Sequence, residues 1–497
     1  MLIPQSLFLN RIFLLFCLNL FFLTSNAQVG IGTITPDPSS MLDVSSTSQG
    51  ILAPRMSTAQ RLSISNPANG LLVYDTDERS FYFFEEIDDE WVRLNSSQEK
   101  RDNFVLVKSL ADFPAPSGGV INLDTNTYYE INGTINLAGN RINLNNAYVS
   151  GLDANEDVLV AGAGTTAFQG STGGSIRNIT ITGGGTAFNI TGSAAQNMLL
   201  QNTIIANMAS VGTISGLGLY FSNIVQYVGN AAGITYNEIG SLLLSNQAWF
   251  GNNGGTYETF TGTFQLIQKV SGFSTVPLGA TGINVSSNPS VVEGVILNAL
   301  FTGAGTYVNR YTTGSYPGFN FNKNWVINSP GIPRESDNEA TGNIYYNGDL
   351  AIGFAQAVPN AVNTPFNLGS NTTTLAGNNF RMTSPENNRI TYDGRRPKTF
   401  QVNATLAVRA NTSNTQSTFF AFFIRKNGNA GTTLVPTNTV MRTPNSSGSG
   451  AELVSLAISG TVDLVPGDYI EVWGQRLTGG NLTSAQLAIF AVNLNIK

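Results

Sequence analysis

Ile176-Arg-Asn178, Leu200-Gln-Asn202, Phe221-Ser-Asn223, Leu244-Ser-Asn246, Leu266-Ile-Gln268 and Ile296-Leu-Asn298 repeat one pattern: an apolar residue, any residue, then an amide. The amides stand 24, 21, 23, 22 and 30 residues apart. A second pattern keeps phase with the first, at Gly185-Thr-Ala-Phe188, Gly212-Thr-Ile214, Gly233-Ile-Thr-Tyr236, Gly255-Thr-Tyr257, Gly282-Ile-Asn-Val285 and Gly305-Thr-Tyr307. A period of about 22 residues with two or three short strands in each is the signature of a right-handed parallel β-helix. A single coil cannot bury its own apolar face, so stacking supplies the core. The reading assigns Asn178, Asn202, Asn223, Asn246, Gln268 and Asn298 to an inward amide ladder, each side chain bonded to its equivalent one coil away. The competing reading is a Greek-key sandwich with coincidental amide spacing.

Working outward from the repeat, the fold class is all-β. A right-handed parallel β-helix shaft spans 101–343. An antiparallel jelly-roll sandwich follows at 344–497, and a small β module occupies 28–100. The composition agrees. Of 497 residues, 11% are charged, 52 are Gly, none is His, and the single Cys is Cys17. Without His, Ser–His–Asp and Cys–His catalysis and His-ligated zinc are excluded. One Cys excludes an intrachain disulfide framework. The formal charge of −6 argues against a nucleic-acid partner, because phosphate binding needs a basic face.

Arg11 is the only charge before Asp37, and an apolar run from Ile12 to Leu23 leads into Ser25-Asn26-Ala27. Such a run is short for a membrane span and has the form of a secretory signal peptide, residues 1–27, cut before Gln28. The alternative is an uncleaved anchor. With cleavage, no membrane insertion remains, and the mature chain is expected to be secreted, extracellular or at the cell surface.

Val29-Gly-Ile-Gly-Thr33, Leu42-Asp-Val44, Gly50-Ile-Leu-Ala-Pro-Arg-Met56, Gln60-Arg61, Gly70-Leu-Leu-Val-Tyr-Asp-Thr76 and Trp91 follow in fixed order. This series resembles the amino-terminal module of many secreted Bacteroidota proteins and of phage tail-fibre-like proteins. The resemblance implies an adaptor or stalk base. The stretch from Val105 to Leu137 is similar to the β-helical part of tailspike-like proteins. In the last third, Phe400, Val402, Ala404, Leu406 and Val408 alternate with polar residues, as a half-buried strand does. Phe419-Phe-Ala-Phe-Phe-Ile424, Lys426-Asn-Gly428 and Val462-Asp-Leu-Val-Pro-Gly-Asp-Tyr-Ile-Glu-Val472 resemble the strand order of C1q/TNF-like jelly rolls. That likeness implies a homotrimer and a ligand-contacting head. Calcium occurs in some such heads, but Asp463, Asp468 and Glu471 match no assignable site.

Chemistry is sparse in the shaft. Between residues 160 and 310 the acids are Glu238, Glu258 and Glu293. Glu238 and Glu258 lie about one coil apart and could share a face as a carboxylate pair for glycan cleavage. Asp153, Glu156 and Asp157 read as a polar turn in preference to a metal site. Tyr227, Tyr236, Trp249 and Tyr257 are candidate glycan-contacting residues, since aromatic faces stack on sugars. Their other role would be to plug the coil interior. The expectation is therefore an exported, non-enzymatic, fibre-like structural or adhesion protein, homotrimeric, with surface glycans as candidate ligands and no cofactor or metal. The alternative is a β-helical polysaccharide lyase or glycoside hydrolase acting on extracellular glycans.

Overall fold

The computed structural model describes residue 13 and residues 28–94, 102–369, 372–411, 418–442, 452–478 and 486–497. The expected signal peptide, residues 1–27, lies outside the described residues apart from Phe13. Among the described residues, no helix is long and apolar enough to cross a membrane. The chain divides into two compact units, residues 1–101 and 102–497.

In the first unit, Leu72–Asp75, Ser80–Glu85 and Glu90–Arg93 form an antiparallel meander, with Arg55–Met56 added in parallel at one edge. A one-turn helix, Thr58–Leu62, starts at Ser57, whose side chain caps Gln60 while Gln60 reaches back to the Ser57 amide. The helix delivers Arg61 onto Asp75 at 2.9 Å, and its guanidinium lies 3.9 Å over the Tyr82 ring. Burial pushes the Asp75 carboxyl up. Hydrogen bonds from the Glu78 amide, Arg61, Thr58 and the Asp77 amide outweigh that and hold it at about 2.

The second unit opens with the parallel solenoid that the repeat implies. Leu200 pairs with Ser222 and Ser222 with Leu244, 22 residues apart each time. Parallel strands stack into one 14-stranded and one 9-stranded sheet along the shaft, about nine turns in all. The strands alternate buried and half-exposed residues, as in Asn197–Ala206 and Leu219–Val228, because successive side chains point to opposite faces. The inward set forms one continuous core from Val107 to Ile332. At the amino-terminal end, Phe104–Val107 pairs with Tyr128–Ile131, and Phe113 closes the first coil against Tyr129.

The corners explain the amides, and they correct the ladder. Asn178, Asn202, Asn246 and Asn298 have φ of +52°, +47°, +49° and +56°. The register stacks them in one left-handed column with Ile224 and Ser271. Asn adopts this conformation at low cost, so the spacing reports a corner and not an inward bond. Asn223 stands one residue before that column, and Gln268 lies mid-strand on the outer face. The buried amide pair sits at another corner: Asn230 Nδ2 donates to Asn253 Oδ1 at 2.9 Å, and Asn253 Nδ2 donates to the carbonyls of Tyr227 and Phe250 at 2.7 Å. Glycine is required where coils touch. At Gly272 (φ +79°) a Cβ would meet the Gln247 carbonyl oxygen at 2.2 Å.

The two long outer faces differ. On the 9-stranded sheet one column runs Gln169, Asn189, Thr213, Thr235, Thr259, Asn284, Asn309. On the 14-stranded sheet one column runs Phe104, Tyr128, Tyr148, Ser175, Leu199, Phe221, Leu243, Gln268, Val295, Val326.

After the last coil strand, Trp325–Asn328, the chain enters two antiparallel sheets. Phe400, Val402, Ala404, Leu406 and Val408 face Phe420, Phe422 and Ile424 in the core between them. Solenoid and sandwich join through Arg381, whose guanidinium donates to the Trp325 carbonyl and to Asp337. Phe319 stacks on Phe380 at 3.8 Å, and Asp393 accepts from the Tyr316 hydroxyl at 2.9 Å and from Lys323 at 2.8 Å.

Candidate functional site

The four aromatic candidates do not reach the surface. Tyr227, Tyr236, Trp249 and Tyr257 are all fully buried in the solenoid. Tyr227 stacks on Trp249 at 3.8 Å and 6°, and Trp249 on Tyr257 at 4.8 Å and 10°. The expectation of sugar contact there is corrected: Tyr227 and Trp249 stack one coil apart, Tyr257 packs on Trp249 from the next strand, and all four rings fill the core. Burial pushes the Tyr227 and Tyr236 hydroxyls well above their ordinary value.

The carboxylate pair separates as well. Glu238 is exposed at a left-handed corner, φ +53°. Glu258 is buried inside, where Thr256–Thr261 breaks strict alternation and buries Tyr257 and Glu258 in succession. Lys269 ion-pairs with it at 2.9 Å and also donates to Gln247 at 2.9 Å, whose Nε2 donates to Ser222 at 2.9 Å. This ion-paired polar chain is enclosed in an aromatic core, away from the surface.

Asp157 accepts from the amides of Gly133, Leu152 and Asp153 at 2.8, 2.7 and 3.1 Å, which makes it a staple for the polar turn. Asp468 is likewise used locally, on Lys426 at 2.6 Å, the Asn427 side chain and the Val465 amide. Among the described residues, no group of three or more Asp, Glu or Cys could hold a metal ion.

The candidate site is a cleft of about 650 Å³ on the sandwich, lined by Asn367, Thr374, Ser384, Pro385, Glu386, Asn387, Arg389 and Glu471. The strand Tyr469–Thr478 puts Ile470 and Val472 into the core, so Tyr469, Glu471 and Trp473 share the other face. Arg389, on the neighbouring strand, pairs directly with Glu471 in the register. Its Nε and Nη2 donate to Glu471 Oε1 at 2.9 and 2.8 Å, and its Nη1 reaches Glu386 at 2.7 Å. The guanidinium lies 3.9 Å over the Tyr469 ring, and Trp473 Nε1 donates to Glu471 Oε2 at 3.0 Å.

Two carboxylates therefore hold one arginine. Glu471 is buried and locked, while the Glu386 side chain is 61% exposed. Hydroxyls and amides fill the rest of the wall. Such a surface exchanges hydrogen bonds with a polyhydroxylated ligand, with the exposed carboxylate as the strongest acceptor. Sequence reasoning left Glu471 unassigned and did not single out Arg389 or Glu386. The parity of the strand Tyr469–Thr478 was a readable signal, but Arg389 is 82 residues away and only the sheet brings it near.

Residues 30–106 match the family described as phage tail like trimerisation region. This supports a trimer and a phage tail-fibre-like protein, as the amino-terminal motifs suggested. No curated protein matches the chain. Among solved structures, it is similar to the Acinetobacter baumannii phage AM24 tailspike protein, with 10% identity, 88% of this chain and 93% of that chain covered, and a TM-score of 0.22. It is also similar to two structures described as the enzymatically active domains of bacteriophage CBA120 tailspike proteins 4 and 2. The first has 10% identity, coverage of 90% and 77%, and a TM-score of 0.20. The second has 11% identity, coverage of 88% and 89%, and a TM-score of 0.16. The expectation of a non-enzymatic protein is corrected on this point, since two of these similar structures are enzymatically active domains.

Proposed function

We propose that this chain is the subunit of a trimeric, phage-tail-like extracellular spike whose sandwich cleft engages a surface glycan. One observation carries the reading: a match to a trimerisation region ends at residue 106, inside the first strand of a β-solenoid. The apolar leader of residues 1–27 supports export, and the C1q/TNF-like strand order supports a ligand-contacting head. The cleft supplies the chemistry, with hydroxyl, amide and carboxylate groups around Arg389. Light scattering on the mature protein is expected to give three chains per particle, and a glycan array at least one bound polysaccharide. Glu386→Ala should weaken that binding about tenfold, the worth of one charged hydrogen bond, without unfolding an exposed site. A monomer, or binding indifferent to Glu386, would sink the reading.

A second reading is that the cleft also cleaves the glycan. It is favoured by the two carboxylates, Glu386 and Glu471, meeting on one guanidinium, since glycoside hydrolysis uses a pair of carboxyl groups. Incubation with pectin, alginate and capsular glycans, followed by assay of new reducing ends, tests it. Glu386→Gln should abolish turnover; turnover that survives the change would exclude this cleft.

A further inference from the structure

We infer that the apolar outer column of the 14-stranded sheet is the seam along which three copies of this chain lay their solenoids side by side. The inference rests on the trimeric reading above and names the surface that serves it. The column runs the length of the shaft, and from Leu199 through Phe221 to Leu243 it is aliphatic or aromatic on consecutive coils. Only Ser175 and Gln268 interrupt it.

A sheet face that meets water normally carries polar residues, and a contiguous apolar stripe marks an interaction surface. The same solenoid shows the contrast. Its 9-stranded sheet, built from the same repeats, presents amides and hydroxyls in register from Gln169 to Asn309. The 9-stranded face therefore lacks the apolar column that the 14-stranded sheet carries from Leu199 to Leu243.

The occupant is a second copy of the chain for two reasons. The family match to a trimerisation region ends at residue 106, so Phe104, the first residue of the column, already belongs to it. The seam thus continues, in sequence and along the sheet, from the region matched as trimerising. The column also carries no charge from Phe104 to Val326. Set along the three-fold axis of a parallel trimer, each residue of the column faces its own equivalents in the other two copies, so any charge there would face itself, and an uncharged column is what such an axis requires. A foreign partner would impose no such rule.

Cysteine cross-linking tests this. The only native cysteine is Cys17, in the leader, so an introduced thiol is alone in the mature chain. Leu243→Cys and Leu199→Cys sit on the seam, and Thr235→Cys sits on the opposite polar face. Each variant is checked for wild-type circular dichroism and treated with a short bis-maleimide. The seam variants should give covalent dimers in at least half of the chains at every protein concentration, and Thr235→Cys roughly tenfold less. If the wild type scatters light as a trimer but neither seam variant cross-links, or Thr235→Cys matches them, the seam is wrong and the trimer stands. If the wild type is monomeric, the trimeric reading fails and takes the seam with it.

Discussion

Ile224 occupies a position that asparagine holds at four other coils. It has φ +55° and lies in the column of Asn178, Asn202, Asn246, Ser271 and Asn298, with 47% of its surface exposed. A β-branched residue is a poor choice for left-handed backbone, which costs about 1–2 kcal/mol outside Gly and Asn. Ile224→Asn is therefore expected to stabilise the solenoid by about 1 kcal/mol. Urea unfolding reads this as a higher midpoint at unchanged slope; a lower midpoint would show that Ile224 contributes packing that outweighs its strain. Glu335 gives the second residue-scale expectation. It is fully buried and accepts from the Asn320 and Phe321 amides at 2.8 and 3.0 Å. Burial pushes its carboxyl from 4.5 up to about 7, against the pull of those amides and Arg381. Between pH 4.5 and about 7 the folded chain keeps a proton that the unfolded chain has released, so stability falls as pH rises through that window. The loss is on the order of 3 kcal/mol. Glu335→Gln should flatten the profile, and an unchanged slope between pH 5 and 7.5 would place its origin elsewhere.

At the scale of the element, one coil is stable only through its neighbours. The Asn230–Asn253 pair shows how polar corners survive inside such a stack. Asn253 Oδ1 accepts from both the backbone and the side chain of Asn230, and its Nδ2 satisfies two carbonyls. Asn253→Leu has similar bulk but strands those groups, so it should cost about 2–3 kcal/mol. Hydrogen exchange at the Asn230 amide should quicken more than at remote coils. Uniform quickening along the shaft would mean that the coils unfold as one unit. The same coils show what spacing can and cannot convey. The period of about 22 residues was legible because every coil repeats a corner, and left-handed backbone selects Asn and Gly there whatever the interior holds. The direction of the amide side chains was not legible. Asn223 and Gln268 fit the spacing, yet the register puts them off the corner column.

On the scale of the whole second unit, the last coil would be an open end unless something covered it. The sandwich covers it, with Arg381 as the central tie to the Trp325 carbonyl and Asp337. Arg381→Met keeps the length of the side chain but leaves Asp337, which the Arg395 and Arg396 amides also hold, without its cation. Breaking a buried pair on one side costs about 3–5 kcal/mol. Calorimetry of the variant should show the carboxy-terminal half unfolding earlier and apart from the shaft. A single transition at the wild-type temperature would mean that the Phe319–Phe380 stack carries the joint.

The sequence by itself determined the class and the order of parts. Low charge, phased repeats and alternating apolar strands point to an all-β chain of stacked coils followed by antiparallel sheets, because local geometry and strand parity act over few residues. Which side of each strand faces the core, and what meets there, was decided by the tertiary structure alone. Trp249 and Glu258 read as surface chemistry until the register turned them inward, and Arg389 joined Glu471 across 82 residues of chain. A one-residue change of register inverts every side chain of a strand, so composition and spacing constrain the fold long before they can locate a site.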